Sequence, residues 1–139
     1  MDNPLNNWVA VYRGYSTACA RVERALNLEL DMTLPQFHSL LYLRDASPCR
    51  NTDLAHYLVR TAQTMTGVID RLVERRWAAR EKHPKDRRAI LVRVLPAGLK
   101  ALEKAIPIVE EAYPSAVGKL SEAQQTMLVR LAAALADGA

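Results

Sequence analysis

Along the first stretch of the chain, apolar residues recur at alternating steps of three and four: Leu5, Trp8, Tyr12, Tyr15, Cys19, Val22 and Leu26. That spacing predicts one long helix over residues 5–26 with a heptad-like stripe, the seam of a helix laid along another helix. A stripe of this length points to an interface between subunits. Thr33-Leu34-Pro35-Gln36 opens a second helix. Thr33 and Gln36 have the spacing of a capping box, and Pro35 falls in the first turn, where its missing N–H is not needed. Phe37, Leu40 and Leu41 face the core, and Ser47-Pro48 ends the helix. Asn51 or Thr52 caps a third, short helix carrying Leu54, Ala55 and Leu58. After a break at Val59-Arg60, Thr61 caps a fourth, residues 62–76. Met65, Val68, Ile69 and Leu72 line one of its faces; Gln63, Thr64, Thr66, Gly67, Asp70 and Arg71 line the other. Two short helices tightly joined, the second small and polar outside, read as a helix-turn-helix.

The period then changes. Ile90, Val92 and Val94 alternate with Leu91, Arg93 and Leu95, which predicts a strand, and Trp77–Arg80 is a shorter one before it. Between them runs Lys82-His83-Pro84-Lys85-Asp86-Arg87-Arg88, so the pair forms a hairpin with a cationic tip, a wing. From Ala97 the chain is helical again through Leu99, Leu102, Ile106 and Val109, with a kink expected at Pro107. Ser121-Glu122-Ala123-Gln124 is a second capping box, ahead of Leu128, Leu131 and Leu135. The fold class expected is mainly α with a small β-hairpin wing, a winged helix-turn-helix between terminal helices.

Composition narrows this picture. The 139 residues suit one domain, 1–139, and 50% of them are hydrophobic. Aromatics are only 6% and glycines 5 in all, so the core is aliphatic and the design helical. No apolar run spans a membrane, Met1-Asp2-Asn3-Pro4 does not open a secretory signal, and Cys19 and Cys49 are too few for a disulfide framework; the cytoplasm is expected. The net charge is +4, and it is not evenly spread. Residues 51–93 carry ten Lys/Arg against five Asp/Glu, whereas the flanking stretches are close to neutral. A basic segment is the footprint of a polyanion partner, and small polar side chains on the fourth helix suit close approach to base edges. His38, His56 and His83 are scattered with no ligand spacing, so no metal is expected. No nucleophile–base constellation is present, and neither a cofactor nor an enzymatic activity is implied.

In the order of its fragments the chain resembles the MarR family of multiple-antibiotic-resistance regulators, over residues 5–136. Leu34-Pro35-Gln36-Phe37 opens the second helix, and Leu54-Ala55 and Leu58 lie in the third. Asp70-Arg71-Leu72 lies late in the fourth helix, Asp86-Arg87-Arg88 in the wing, and Pro96-Ala97-Gly98 starts the fifth. The resemblance implies a ligand-responsive repressor acting as a homodimer on double-stranded DNA with a pseudo-palindromic operator. Residues 5–28 and 96–136 would dimerise and 33–95 would form the winged helix-turn-helix. The DNA-binding residues would be Gln63, Thr64, Thr66, Gly67 and Arg71 on the recognition helix and Lys85, Asp86, Arg87 and Arg88 on the wing. Arg88, oriented by Asp86, would enter the minor groove. A small aromatic or phenolic ligand would sit near Tyr12, Tyr15, His38 and Tyr42. Three positions depart from the family pattern. Arg76 replaces a Gly, His83 replaces an acidic residue of the wing turn, and Leu95 replaces a capping Thr. An Arg76 in the left-handed conformation would cost roughly 1 kcal/mol. One branch of the family senses peroxide with a cysteine whose place here falls near Val9; Cys19 lies instead in the apolar stripe. Two alternatives stay open: a winged-helix module that docks proteins and does not read DNA, and a thiol-based redox regulator.

Overall fold

The computed structural model describes residues 3–137. In chain order it comprises α1 (Pro4–Leu30), α2 (Leu34–Ala46), β1 (Cys49–Arg50), α3 (Asn51–Leu58), α4 (Ala62–Glu74), β2 (Ala78–Lys82), β3 (Ile90–Val94), α5 (Pro96–Ala116) and α6 (Glu122–Asp137). The strands form one antiparallel sheet in the order β1-β3-β2.

Most helix ends follow from local hydrogen bonding. At α2 the Gln36 N–H donates to Thr33 Oγ1 (3.3 Å) and the Thr33 N–H to Gln36 Oε1 (3.2 Å), closing the expected box. Ser121 and Gln124 close the same box before α6, and Thr61 Oγ1 accepts from the Thr64 N–H at 3.1 Å. The third helix corrects the reading at its start. Its cap is Arg50 rather than Asn51 or Thr52, and the Asp53 carboxylate accepts the Arg50 N–H at 2.9 Å. Asn51 is thereby freed to reach α4, where its amide donates to the Ala62 carbonyl and to Thr66 Oγ1. The first helix runs on to Leu30 instead of ending at Leu26, and α5 continues as one helix past Pro107.

Three helices end in left-handed residues that are not glycine, the first being α1 at Asp31 (φ 50°), whose N–H donates to the Asn27 carbonyl. Val59 (φ 55°) closes α3, with the Arg60 N–H donating back to the Ala55 carbonyl. Arg76 (φ 58°) closes α4: its N–H donates to the Val73 carbonyl and the Trp77 N–H to the Leu72 carbonyl. That pair of bonds is a Schellman ending, so the geometry is kept without glycine and Arg76 bears the left-handed strain expected of it. Leu95, as the missing Thr implied, makes no side-chain cap on α5. Gly98 has a packing reason instead: a Cβ there would lie 2.2 Å from the Trp77 carbonyl oxygen.

The core is one cluster. Leu26, Met32, Leu40, Leu43, Leu54, Met65, Ile69, Leu72, Val92 and Leu102 are all but closed to solvent. Its members come from α1, α2, α3, α4, β3 and α5, and Leu26 is the sole α1 stripe residue fully inside it. Cys19 and Val22 are half-buried, and the N-terminal part of the stripe faces outward: Leu5 is 64% exposed, Trp8 62% and Tyr15 68%. Among the described residues α6 buries no side chain, and Leu131 and Leu135 are 57% and 74% exposed. Apolar surface on this scale marks an interaction face rather than a finished exterior.

Candidate nucleic-acid interface

The polar face of α4 is open along its length: Gln63, Thr64, Thr66, Gly67, Asp70 and Arg71 are exposed, while Met65, Ile69 and Leu72 hold the helix to the core. The hydrogen-bonding groups on this face are not equivalent. The Thr66 hydroxyl donates to the Ala62 carbonyl at 3.1 Å and accepts from Asn51, so its proton is committed. Thr64 accepts from the Thr61 hydroxyl and keeps its own proton free. Gln63 makes no side-chain hydrogen bond among the described residues, leaving a donor and an acceptor on one amide. At Gly67 a Cβ would meet nothing within 4 Å. The fold does not need that glycine, and mid-helix glycine costs roughly 0.5–1 kcal/mol against alanine.

The wing is the β2–β3 hairpin. Its pairing runs from Ala78 opposite Val94 to Lys82 opposite Ile90, so β2 lies later than the Trp77–Arg80 expectation; Trp77 is a buried residue just ahead of the strand. The tip is held by His83, whose Nδ1 accepts the N–H groups of Lys85 (3.1 Å) and Asp86 (3.0 Å). The His83 ring thus accepts from the turn's backbone in place of the acidic residue that the family resemblance leads one to expect there. Asp86 orients Arg88 through the main chain, its Oδ1 accepting the Arg88 N–H at 3.0 Å, while its other oxygen lies 3.7 Å from Arg50.

Ion pairs sort the cations. Arg80 pairs with Asp70 at 2.5 Å, Arg71 with Glu74 at 3.6 Å, and Arg93 grips Glu81 with two bonds of 2.8 and 3.0 Å, holding that carboxyl below its ordinary range. Lys82, Lys85, Arg87 and Arg88 have no ion-pair partner among the described residues. Asp70 and Glu74 are thus engaged on α4 and Glu81 in the sheet, while four cations without an ion-pair partner cluster around the wing tip.

Behind α4 lies an open cleft of about 800 Å³ between α1, the start of α2 and the turn from α3 to α4. Tyr12, Tyr15 and His38 line it, as expected; Tyr42 does not, and stacks instead on Tyr57 with ring centroids 4.8 Å apart. Residues the sequence reading missed also face the cleft, chiefly Glu23, Tyr57 and Arg60. Burial, with a smaller contribution from the Arg60 charge, pushes His38 below the ordinary histidine value. Contact with Cys19 and partial burial push the Tyr15 phenol up, against the Arg60 charge. Cys49 is buried in β1, and burial raises its thiol to about 11. A thiol held there stays protonated and unreactive. Among the described residues no group of three or more His, Cys, Asp or Glu could hold a metal, and no helix is long and apolar enough to cross a membrane.

A helix-turn-helix with a free polar face beside a cationic hairpin defines the class, that of winged-helix transcriptional regulators. The model of the MarR family matches residues 32–90. YpoP of Bacillus subtilis, an HTH-type transcriptional regulator, is 33% identical over 76 residues, 55% of this chain; the chain spans 54% of that relative's length. The HTH-type transcriptional repressor NicR of Pseudomonas putida is 26% identical over 106 residues, covering 76% of this chain and 67% of NicR. The solved structure of Bordetella bronchiseptica BpsR, whose DNA binding is regulated by 6-hydroxynicotinic acid, is 30% identical with a TM-score of 0.83, covering 92% of this chain and 91% of BpsR. The chain belongs to the MarR family.

Proposed function

We propose that the protein is a non-enzymatic, ligand-responsive repressor that binds a pseudo-palindromic DNA operator as a homodimer in the cytoplasm. The observation that carries this reading is the unpaired cationic wing tip, Lys82, Lys85, Arg87 and Arg88, beside an α4 face whose Gln63 amide is uncommitted. In this reading residues 5–28 and 96–136 pair two copies, and each winged region (33–95) meets one half-site. Arg88 enters the minor groove, where a fork of donors meets the strongest negative potential. Lys85 and Arg87 neutralise phosphates. Gln63 and the free Thr64 proton meet base edges, and Gly67 lets the helix backbone approach. Thr66 and Arg71 serve at the margin, since each is already bonded to a neighbour. The polar α4 face also speaks against the protein-docking alternative, which needs exposed apolar area there.

The cleft suits a small aromatic carboxylate. Arg60 supplies countercharge, the neutral His38 can donate or accept, and Tyr12 and Tyr15 offer ring faces. A phenolic acid or hydroxypyridine carboxylate of the kind that regulates BpsR has this chemistry.

The test is a set of dissociation constants on operator and random duplex at several salt concentrations. Arg87→Ala weakens both duplexes by similar factors and flattens the salt slope by about one unit, as for one lost phosphate contact. Gln63→Ala costs about 1–3 kcal/mol on the operator alone. Equal losses on both duplexes from both variants would remove the assignment of α4 as the reading helix.

A further inference from the structure

The C-terminal end of the reading helix meets the ends of α1 and α5 through one short segment, Arg75-Arg76-Trp77, directly after α4. The helix α1 has no basic residue in its last turn. Arg75 supplies the missing cation from elsewhere in the chain: its guanidinium donates to the Leu30 carbonyl at 2.8 Å and to the Asp31 carbonyl. A cation at a helix C-terminus is favourable to both the open carbonyls and the helix dipole. The same guanidinium lies over the Trp77 ring, its Cζ 3.6 Å from the ring centroid, a cation–π contact that helps to hold it in place. Trp77 in turn holds α5. Its carbonyl accepts the Leu95 N–H at 2.9 Å, and it is the atom against which Gly98 is pressed. The left-handed Arg76 makes the turn that brings the two contacts together.

Among the described residues α1 is tied to residues 33–95 by two side-chain bridges. Glu23 accepts the Leu34 N–H at the start of α2 at 2.7 Å, and Arg75 makes the other. The second bridge reaches α4. Helix α1 is about 40 Å long at 1.5 Å per residue, and its exposed apolar stripe lies at the far end from Arg75. This contact therefore bears on the angle at which the end of α4 is held relative to that stripe.

We propose that Arg75 is a positioning residue that sets the angle between the reading helix and the helices that pair the two copies, and so the half-site spacing the protein accepts. The inference rests on the reading of the protein as a dimer that reads DNA with α4. Arg75 touches no base in this account; it acts through where it holds α4. A stiff joint restricts binding to one spacing, and a loose joint lets each winged region find its half-site over a range.

The experiment begins with selection of an operator for the wild-type protein from a random duplex pool. Affinities are then measured on that operator and on versions with one base pair inserted or deleted at the centre, a displacement of about 3.4 Å and one-tenth of a turn. Wild type loses about tenfold or more on either altered spacing, whereas Arg75→Met, which keeps the length and loses the donors, loses about threefold or less. Its affinity for a single half-site duplex stays at the wild-type value, which a general loss of structure would not allow. Arg75→Lys restores part of the discrimination, and Arg75→Gln serves if the Met variant does not fold. An Arg75→Met or Arg75→Gln protein that is folded and dimeric and discriminates spacing as sharply as wild type overturns the inference while leaving the reading of the interface intact. A wild-type protein that selects no two-part site overturns both.

Discussion

In the core under the winged region, Leu40, Leu54, Met65 and Leu72 have no exposed surface, whereas Leu5, Trp8, Leu131 and Leu135 on the terminal helices keep more than half of theirs. Both sets lie on helices with regular apolar spacing, so amphipathicity alone does not separate them. The difference lies in what each stripe meets. Three helices and a sheet close over the first set from several directions. In the second, α6 buries none of its side chains and α1 turns the N-terminal half of its stripe outward. One region is complete within a single chain; the other leaves exposed the apolar surface that the proposed pairing of two copies would cover.

The strongest way to break this contrast is to charge the incomplete half. Trp8→Glu combined with Leu131→Glu should leave the winged region folded, since neither residue reaches the core, and should abolish pairing. Operator affinity should fall by about 10²–10⁴, the avidity lost when two linked heads become one. Sedimentation and fluorescence anisotropy read the two effects separately. A monomeric variant with undiminished operator affinity would dissolve the distinction between the regions.

Disturbing the packing of the complete half is the converse test, and here a single methyl suffices. Gly98→Ala places a carbon against the Trp77 carbonyl, which cannot move without shifting α5 or the end of α4. A loss of about 1–3 kcal/mol in urea unfolding is expected, the usual cost of overpacking. Full stability in the variant would show that α5 packs differently.

Within the winged region, Gly67 and Arg76 sharpen the comparison between positions that serve the fold and positions that do not. Gly67→Ala should raise stability by about 0.5–1 kcal/mol, because nothing blocks the added methyl and helix propensity improves. It should at the same time weaken operator binding. Arg76→Gly should raise stability by up to roughly 1 kcal/mol by relieving the left-handed strain, with operator affinity at the wild-type value. Thermal melts and anisotropy on the same samples decide both; a Gly67→Ala protein that binds the operator as well as wild type would remove the backbone-approach role.

The smallest effect concerns the cleft. Because His38 is lowered in the folded protein, first by burial and then by Arg60, the folded state resists a proton that the unfolded chain accepts. Stability is therefore complete above the ordinary histidine value of 6.5 and falls as pH drops from there toward the lowered folded value. Arg60→Gln should move the His38 titration part of the way back up and no further, since burial remains. Imidazole proton shifts followed by NMR against pH measure this directly. A titration unchanged by Arg60→Gln would take the guanidinium out of the cleft.

Much of the architecture was legible because its determinants act within a few residues. The capping boxes at Thr33/Gln36 and Ser121/Gln124, the break at Val59-Arg60, the change of period at Ile90 and the basic excess over 51–93 all involve neighbours in the chain. The polar face of α4 and the cationic wing tip were legible for the same reason. What failed locally failed by short margins. The two-residue strand β1 is too brief to have a period, and the cap of the next helix falls on its second residue, Arg50, rather than on Asn51 or Thr52.

What only the tertiary structure decided is which groups from distant parts of the chain share one place. Asp86 was visible as an orienting group, but its pairing with Arg50 depends on the fold of the sheet. The neutralisation of Arg93 by Glu81 follows from the register of β2 against β3, and a one-residue slip would have put them on opposite faces. Tyr42 left the cleft and Arg60 and Glu23 entered it because the crossing of α1 over α2 and α3 sets its walls. Arg75 and the end of α1 are 44 residues apart in sequence, and no periodicity links them. Spacing along a chain specifies which face of an element a residue occupies; the partner that face receives is set by how the elements pack, and at the terminal helices by whether a second chain supplies it.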